Sequence, residues 1–156
     1  MRKFLVVVDD SDEMFKALHY AALRAKHTGG TLVLLYIQEP PEYSHWLGVE
    51  SMIQQEGAEQ ATARLQEVAM KAKKITGEMP EMIAREGDKP QAMLNLLKED
   101  QTISIVVLGA NHSSNNKTDG QGPILNHFLG RNGNALPVPI TVIPGDLSFE
   151  QIDRIA

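Results

Sequence analysis

The 156-residue sequence contains no cysteine. Disulfide bonds, zinc–thiolate sites and thiol catalysis are therefore excluded. Long apolar runs are also missing, because the first one, Phe4–Val8, stops at Asp9 after five residues. A secretory signal needs about 7–15 apolar residues and a membrane span needs about 18. We therefore expect a cytoplasmic protein with no membrane partner.

Positive charge is scarce as well. Fifteen Lys and Arg residues stand against 20 Asp and Glu residues, which gives a formal net charge of −5. Nonspecific binding to nucleic acids or anionic membranes needs clustered Lys and Arg. We therefore expect no nucleic-acid partner, although one anionic ligand could still bind at a local site.

Several motifs with known chemistry are absent from the sequence. It has no P-loop, no Gly-x-Gly-x-x-Gly after a strand and no Gly-x-Ser-x-Gly elbow. The histidines form no metal-ligand pattern with carboxylates; they are His19, His27, His45, His112 and His127. No Ser-His-Asp order stands out either. The sequence therefore predicts no catalytic residue and no metal site, and it places His19 and His27 at the surface or rim.

The residues that are present indicate one ordinary domain. Apolar residues make up 42% and charged residues 22% of the chain, close to the average for soluble proteins. Apolar runs predict five strands, and helical patterns separate them. The predicted strands are Phe4–Val8, Thr31–Ile37, Glu81–Arg85, Ile103–Leu108 and Val138–Ile143. Alternation of this kind predicts an α/β fold, a doubly wound parallel sheet with helices on both faces.

The ends of the first and last helices carry recognisable signals. Ser11 is the predicted N-cap of the first helix, and Gly29-Gly30 is expected to end it. Ser148 with Gln151 three residues later predicts a capping box. The capping box opens a short C-terminal helix over Leu147–Ile155, within the segment 146–156.

The middle of the chain predicts one long and one short helix. The long one runs from about Glu50 to Thr76, and Asp88 is the predicted N-cap of the next. Apolar residues of the long helix recur at steps of three and four: Ala58, Ala61, Leu65, Val68, Ala72 and Ile75. This stripe fits packing against the sheet, and a seam for a partner helix is the alternative. Residues 41–49 and the polar stretch 110–122 read as loops, the latter flexible.

The segment Ile105–Gly145 carries the main functional signal. A buried strand leads into Gly109, the polar loop 110–122 follows, and Gly130 stands at a predicted helix start before the last strand. Backbone N–H groups at a helix start lack intrahelical partners and carry partial positive charge. This arrangement is typical of a site that holds phosphate.

The opening Val7–Ser11 resembles the acidic start of a response-regulator receiver domain, and Lys89-Pro90 resembles that domain's late Lys-Pro pair. However, Tyr36 stands where the phosphoacceptor Asp would have to be, one strand too early. Lys89-Pro90 also precedes a third helix instead of closing the fold. We therefore do not expect phosphoryl transfer.

A better resemblance covers nearly the whole chain and points to the universal stress protein family. It is carried by the order and spacing of several short pieces. They are the first strand with Asp9 and Ser11, then Leu34–Pro40, Arg85–Asp88, Ile105–Gly109, Leu129-Gly130 and Pro137–Val142. The resemblance implies a single domain over residues 1–156 with strand order 3-2-1-4-5. It also implies a regulatory role in a stress response.

The phosphate loop departs from the pattern of ATP-binding members of that family, which reads Gly, two residues, Gly, nine residues, Gly, then Ser or Thr. Gly109 fits the first glycine, but His112 occupies the second. Seventeen residues then precede Gly130, eight more than the pattern, and Arg131 replaces the hydroxyl residue. Arg131 could contact phosphate by a charge-assisted bond or could be a solvated surface charge.

The resemblance implies a nucleotide site at the carboxyl ends of the first and fourth strands. Asp9 would bond the ribose or adenine, and Ile37 would offer backbone and an apolar edge to the base. Leu108 and Gly109 would floor the pocket, with His112 in its loop. The amides of Gly130, Arg131 and Asn132 would face phosphate. The implied ligand is ATP or another adenine nucleotide, with Mg²⁺ only alongside it, and any ATP hydrolysis would be slow.

The last predicted strand, Val138–Ile143, should lie at a sheet edge. Apolar edges of this kind pair readily with another chain, so a homodimer through this strand is predicted. Two functions remain open at this point. One is nucleotide binding; the alternative is a family member that does not bind nucleotide and acts through dimerisation and an unknown protein partner. A small hydrolase would need a nucleophile–base pair that the sequence does not show.

Overall fold

A computed structural model describes residues 2–40, 49–110 and 122–156; at 49–54, 122–123 and 130–131 it describes the backbone only. The elements, in chain order, are β1 (Lys3–Val8), α1 (Met14–Thr28), β2 (Thr31–Gln38), α2 (Val49–Thr76), β3 (Glu81–Glu86), α3 (Lys89–Glu99), β4 (Ile103–Gly109), α4 (Gly122–Phe128), a 3-10 helix (Gly130–Ala135), β5 (Ile140–Ile143) and α5 (Phe149–Ile155). The predicted loops at 41–49 and 110–122 lie almost wholly outside the described residues.

The five strands form one sheet of order β3-β2-β1-β4-β5, and every neighbouring pair is parallel. The predicted fold class and strand order are therefore confirmed. The central strands have apolar side chains on both faces, as expected for a sheet covered by helices on both sides. Along β1, Phe4, Val6 and Val8 join one buried cluster, and Leu5 joins the other.

Each cluster is completed by different helices. The first contains buried residues of α1, α2 and α5, among them Leu18, Leu65 and Ile152. The second contains residues of α3 and α4, among them Met93 and Ile124. The helices therefore divide between the two faces, as the doubly wound pattern requires.

The stripe on α2 packs as predicted over most of its length. Ala61, Leu65, Val68 and Ala72 are buried, whereas Ala58 is exposed. The helix ends at Gly77, which has a φ of 83°, a left-handed conformation that glycine adopts without strain.

Two caps were predicted correctly. The Asp88 side chain accepts a hydrogen bond from the Gln91 amide at 3.1 Å at the start of α3. Ser148 and Gln151 form the full capping box of α5. Capping of this kind satisfies N–H groups that the helix cannot pair itself.

The last strand is shorter than predicted, because it begins at Ile140 and not at Val138. Proline lacks an N–H donor, and Pro137 and Pro139 flank Val138, so a regular ladder cannot start there. The Pro139 carbonyl still accepts a bond from the Val106 amide at 3.0 Å. The helix predicted at Gly130 is a 3-10 helix over Gly130–Ala135.

Candidate functional site

The ends of β1 and β4 lie side by side at one edge of the sheet. Val6 pairs with Val107, so Val8 and Gly109, two residues further on, leave the sheet at the same level. From this point the chain runs to β2 on one side and to β5 on the other. Parallel sheets bind ligands at such switch points, outside the carboxyl ends of the strands.

The loop after β1 is organised by Asp9. Its Oδ1 atom accepts hydrogen bonds from the Ser11 amide at 2.9 Å and from the Ser11 hydroxyl at 2.5 Å. The predicted N-cap role of Ser11 is therefore wrong. Helix α1 begins at Met14, and Glu13 is at its N-cap without a side-chain cap bond. Ser11 is used in a local turn instead, a known competitor of helix capping.

Arg64, on α2, holds the same loop from the side. Its Nε donates to the Asp9 carbonyl at 3.0 Å and its Nη2 to the Ser11 carbonyl at 3.2 Å. Its Nη1 donates to Glu67 at 3.1 Å. The planar guanidinium can serve several acceptors at once. Sequence reasoning missed this residue, although an Arg directly beside the buried Leu65 of the stripe was a usable signal.

Tyr36 brings a phenol to the acidic pair. The register of β1 and β2 sets Val8 opposite Tyr36, and the Tyr36 hydroxyl donates to Asp10 Oδ2 at 3.1 Å. Burial, and after it the charge of Asp10, raises the pKa of Tyr36. The residue that argued against a receiver domain is thus a neutral partner for Asp10.

Gly109 is required by packing at the exit of β4. An added Cβ atom would lie 2.6 Å from the Glu13 carbonyl oxygen and 3.0 Å from its carbon. The start of α1 therefore passes too close to β4 for any side chain. The Ala110 amide then donates to the Ile143 carbonyl at 2.9 Å, which ties this exit to the end of β5.

The other predicted site residues are distributed as follows. Ile37 is 4% exposed and Leu108 is 8% exposed, both in the cluster on the α3 side. Gly130, Arg131 and Asn132 form the first turn of the 3-10 helix, which follows an extended Leu129. Asn132 is exposed. His112, which was also predicted to belong to the site, lies outside the described residues.

The region of the chain that the structure describes contains no group of three or more metal-ligating side chains, and no helix in it is long and apolar enough to cross a membrane. His19 contacts Asp153 at 2.6 Å, and His27 contacts the Ala156 carbonyl at 3.0 Å. Both histidines thus face the C-terminal helix at the rim, which agrees with the prediction.

Comparison with solved structures agrees with the fold. A universal stress protein from Lactobacillus plantarum is 20% identical, with a TM-score of 0.76 over 91% of this chain and 97% of that one. A universal stress protein in complex with cAMP is 17% identical, with a TM-score of 0.66 over 91% and 95%. A family protein from Arabidopsis thaliana with AMP bound is 13% identical, with a TM-score of 0.62 over 92% of both chains.

No curated protein matches the sequence significantly. The sequence profile of the universal stress protein family does match, over residues 1–136. That span contains β1 to β4 and the whole candidate site, and the fold has the strand order that the resemblance implied. The chain therefore belongs to the universal stress protein family.

Proposed function

We propose that the protein is a regulatory protein of the stress response that binds an adenine nucleotide at the carboxyl ends of β1 and β4. The observation that carries this proposal is the paired exit of the two strands. Asp9 is exposed at one exit and Gly109 lies at the other. Structural relatives with cAMP and AMP bound make an adenine nucleotide the first ligand to test.

Asp9 is suited to the ribose or the adenine amino group. An ionised carboxylate has about four acceptor positions, and Ser11 uses two of them at Oδ1. The Arg64 bond to the Asp9 carbonyl fixes the backbone, so the carboxylate is held in place before a ligand arrives. Such preorganisation lowers the entropic cost of binding.

The phosphates would lie at the 3-10 helix. The first N–H groups of a helix have no partner inside it, and here they belong to Gly130, Arg131 and Asn132. Asp9 and Asp10 would repel phosphate, so the phosphates must point away from them, toward this turn. Mg²⁺ would enter only with a nucleotide, bound to its phosphates.

Isothermal titration with AMP and with ATP·Mg²⁺ tests the proposal. We expect binding, with Asp9→Asn weakening it about tenfold, or about 1.4 kcal/mol. Asp10→Asn is the matched control, because it removes the same charge one residue away but not the proposed ribose contact. No heat with either nucleotide at about 1 mM, where binding would be worth only about 4 kcal/mol, rejects nucleotide binding.

The role of Arg131 is decided by a second substitution. If its side chain contacts phosphate, Arg131→Ala weakens the binding of ATP more than that of AMP, since ATP carries more phosphate charge. If Arg131 is only a solvated charge, both affinities stay within about twofold.

The alternative function is a family member that does not bind nucleotide and acts through dimerisation and protein contacts. It is favoured by the structural uses already found for Gly109 and Asp9, because neither residue needs a nucleotide to explain it. The proposed dimer contact is the β5 edge. Among the strands that the structure describes, β5 pairs with β4 on one side only, and unpaired strand edges bind other strands.

The backbone of β5 suggests how to break that contact. The carbonyls of Pro139 and Ile143 point toward β4, so by alternation the N–H of Val142 points outward. Val142→Pro removes that outward donor and leaves the pairing with β4 intact. Val142→Ala is the control, because it keeps the outward N–H. We expect a dimer by sedimentation at tens of micromolar for the parent and Val142→Ala, and a monomer for Val142→Pro. A parent that is monomeric would reject the dimer.

A further inference from the structure

A cavity of about 350 Å³ lies where α1, α2 and α5 meet. It is about twice the size of the roughly 150 Å³ cavity that accommodates benzene, and it is open to solution. The residues that matter for its chemistry are Phe15, Lys16, His19, Lys71, Ile75 and Phe149.

Two aromatic rings form much of its apolar surface. Phe149 is 46% exposed, yet two contacts hold its ring. The Lys16 ammonium lies 4.1 Å from the ring centroid. The His19 ring meets it edge-on, at 5.1 Å and 76°. An exposed aromatic ring held in this way is a preformed surface for a flat apolar group.

Two ammonium groups, those of Lys16 and Lys71, line the cavity together with the Asp12 carboxylate. A second carboxylate, that of Asp153, is paired with the lining His19 at 2.6 Å. The Lys71 ammonium lies 3.9 Å from the Phe15 ring centroid. Lys16 also donates to the Leu147 carbonyl at 2.6 Å. An ammonium has three donors, so each lysine can still donate to an anion while keeping these contacts.

The third wall is built by the C-terminal helix. The capping box of Ser148 and Gln151 sets its start, and Ile152 is fully buried against the first cluster. This helix lies beyond residue 136, where the match to the family profile ends. Of the lining residues, Phe149 lies beyond the matched span, and the others lie within it.

We propose that this cavity binds a small amphipathic monoanion, a carboxylate on a flat apolar body about the size of two fused rings. The body lies against Phe15, Ile75 and Phe149, and the carboxylate bonds to Lys16 and Lys71. The cavity shares no lining residue with the proposed nucleotide contacts, although Arg64, which holds the Asp9 loop, also lies 4.8 Å from the Phe15 ring centroid. The proposal does not rest on nucleotide binding.

The test uses the full chain with 2-naphthoate as the probe and 2-naphthamide as its neutral analogue. We expect titration to show naphthoate binding and the amide to bind at least about tenfold more weakly, because only the acid forms charge-assisted bonds. Methyl signals of Leu18 and Ile75 should shift on binding. Saturating AMP should not displace the naphthoate.

Two pairs of variants separate binding from folding. Phe149→Ala should weaken naphthoate about tenfold, whereas Ile155→Ala, on the same helix and also exposed, should not. Lys71→Ala should weaken the binding of naphthoate but not that of naphthamide. Lys74, which is outside the lining, is the control, and Lys74→Ala should change neither affinity. If thermal melting shows that Phe149→Ala loosens α5, Phe149→Leu is used instead, because it keeps an apolar side chain at this position. Phe149→Leu should still lower the affinity for naphthoate several-fold.

Three results would overturn the proposal: no naphthoate binding at about 1 mM; equal affinity for acid and amide; or unchanged affinity in Phe149→Ala and Phe149→Leu.

Discussion

The two ends of the sheet use the same residue types in opposite ways. At the amino ends of the strands, Lys3 pairs with Asp100 at 2.8 Å and with Glu81 at 3.2 Å. At the carboxyl ends, the described hydrogen bonds to the Asp9 and Asp10 carboxylates come from Ser11 and Tyr36, which are neutral. The nearby cation, Arg64, binds backbone carbonyls there. One end neutralises its charges, and the other fixes its backbone and leaves its carboxylates accessible.

This difference separates stability from binding. Ion pairs that join β1, β3 and the turn before β4 stabilise the sheet but offer a ligand little. At the other end, a rigid loop with accessible acceptors is what a ribose or an amino group needs. The following substitutions test this division, from the largest expected effect to the smallest.

Gly109→Ala should cause the largest loss of stability, about 2–3 kcal/mol, by overpacking. Its Cβ would meet the Glu13 backbone at 2.6 Å, and backbone cannot move aside as a side chain can. Urea unfolding followed by circular dichroism measures the loss. Gly57→Ala is the control, because its Cβ meets only the flexible end of Gln38 and helix propensity favours Ala. Equal effects at the two glycines would contradict the packing role of Gly109.

Arg64→Ala should cost about 1.5–2 kcal/mol, since charged hydrogen bonds to the Asp9 and Ser11 carbonyls are lost. Arg64→Lys should recover less than half, because one ammonium cannot reproduce the planar fork. The control is Arg85→Ala, which breaks an exposed pair with Glu99 and should cost under about 0.5 kcal/mol. The same unfolding measurement applies, and a full rescue by Lys would show that charge alone matters.

The fold was predictable because its signals are local. Five apolar runs separated by helical patterns suffice for a parallel α/β sheet, and the caps at Asp88 and Ser148 use side chains within three residues of their partners. The shortening of β5 was also readable, since two prolines stand at its predicted start. Ser11 was the local failure, because Asp9 two residues earlier competes for its hydroxyl.

The site was less predictable because its contacts are distant in sequence. Arg64 reaches the Asp9 carbonyl across 55 residues, and a bond to a backbone carbonyl requires no particular residue at the acceptor. The need for glycine at position 109 depends on how closely α1 passes β4. The pattern of apolar residues in the sequence does not predict that distance. The placement of Asp9 at a strand end was predictable, but its bonds were not.

Lys3→Met should cost about 0.5–1 kcal/mol, the range for partly exposed pairs. The hydrogen bond from Lys3, followed by that from the Thr102 hydroxyl, lowers the pKa of Asp100 from 3.8 to about 2. A lowered pKa contributes stability that is present above pH 3.8 and is lost as pH falls toward 2. Unfolding between these pH values should show the loss in the parent and a flatter profile in Asp100→Asn. If the free energy of unfolding of Asp100→Asn fell with pH as steeply as that of the parent, the acid sensitivity would come from other carboxylates.

Tyr36→Phe should have the smallest effect, about 0.5 kcal/mol, because it removes one hydrogen bond to an exposed carboxylate. Burial, and then the charge of Asp10, raises the pKa of Tyr36 above 10.0. The protonated phenol is thus favoured in the folded state, and its contribution is lost as pH rises through the folded pKa. Phenolate absorbance should show a tyrosine that titrates late in the folded parent, is absent from Tyr36→Phe, and titrates earlier in Asp10→Asn. If Asp10→Asn left that titration unchanged, the phenol would not sense the carboxylate, and the neutral pairing inferred for the binding end of the sheet would be wrong.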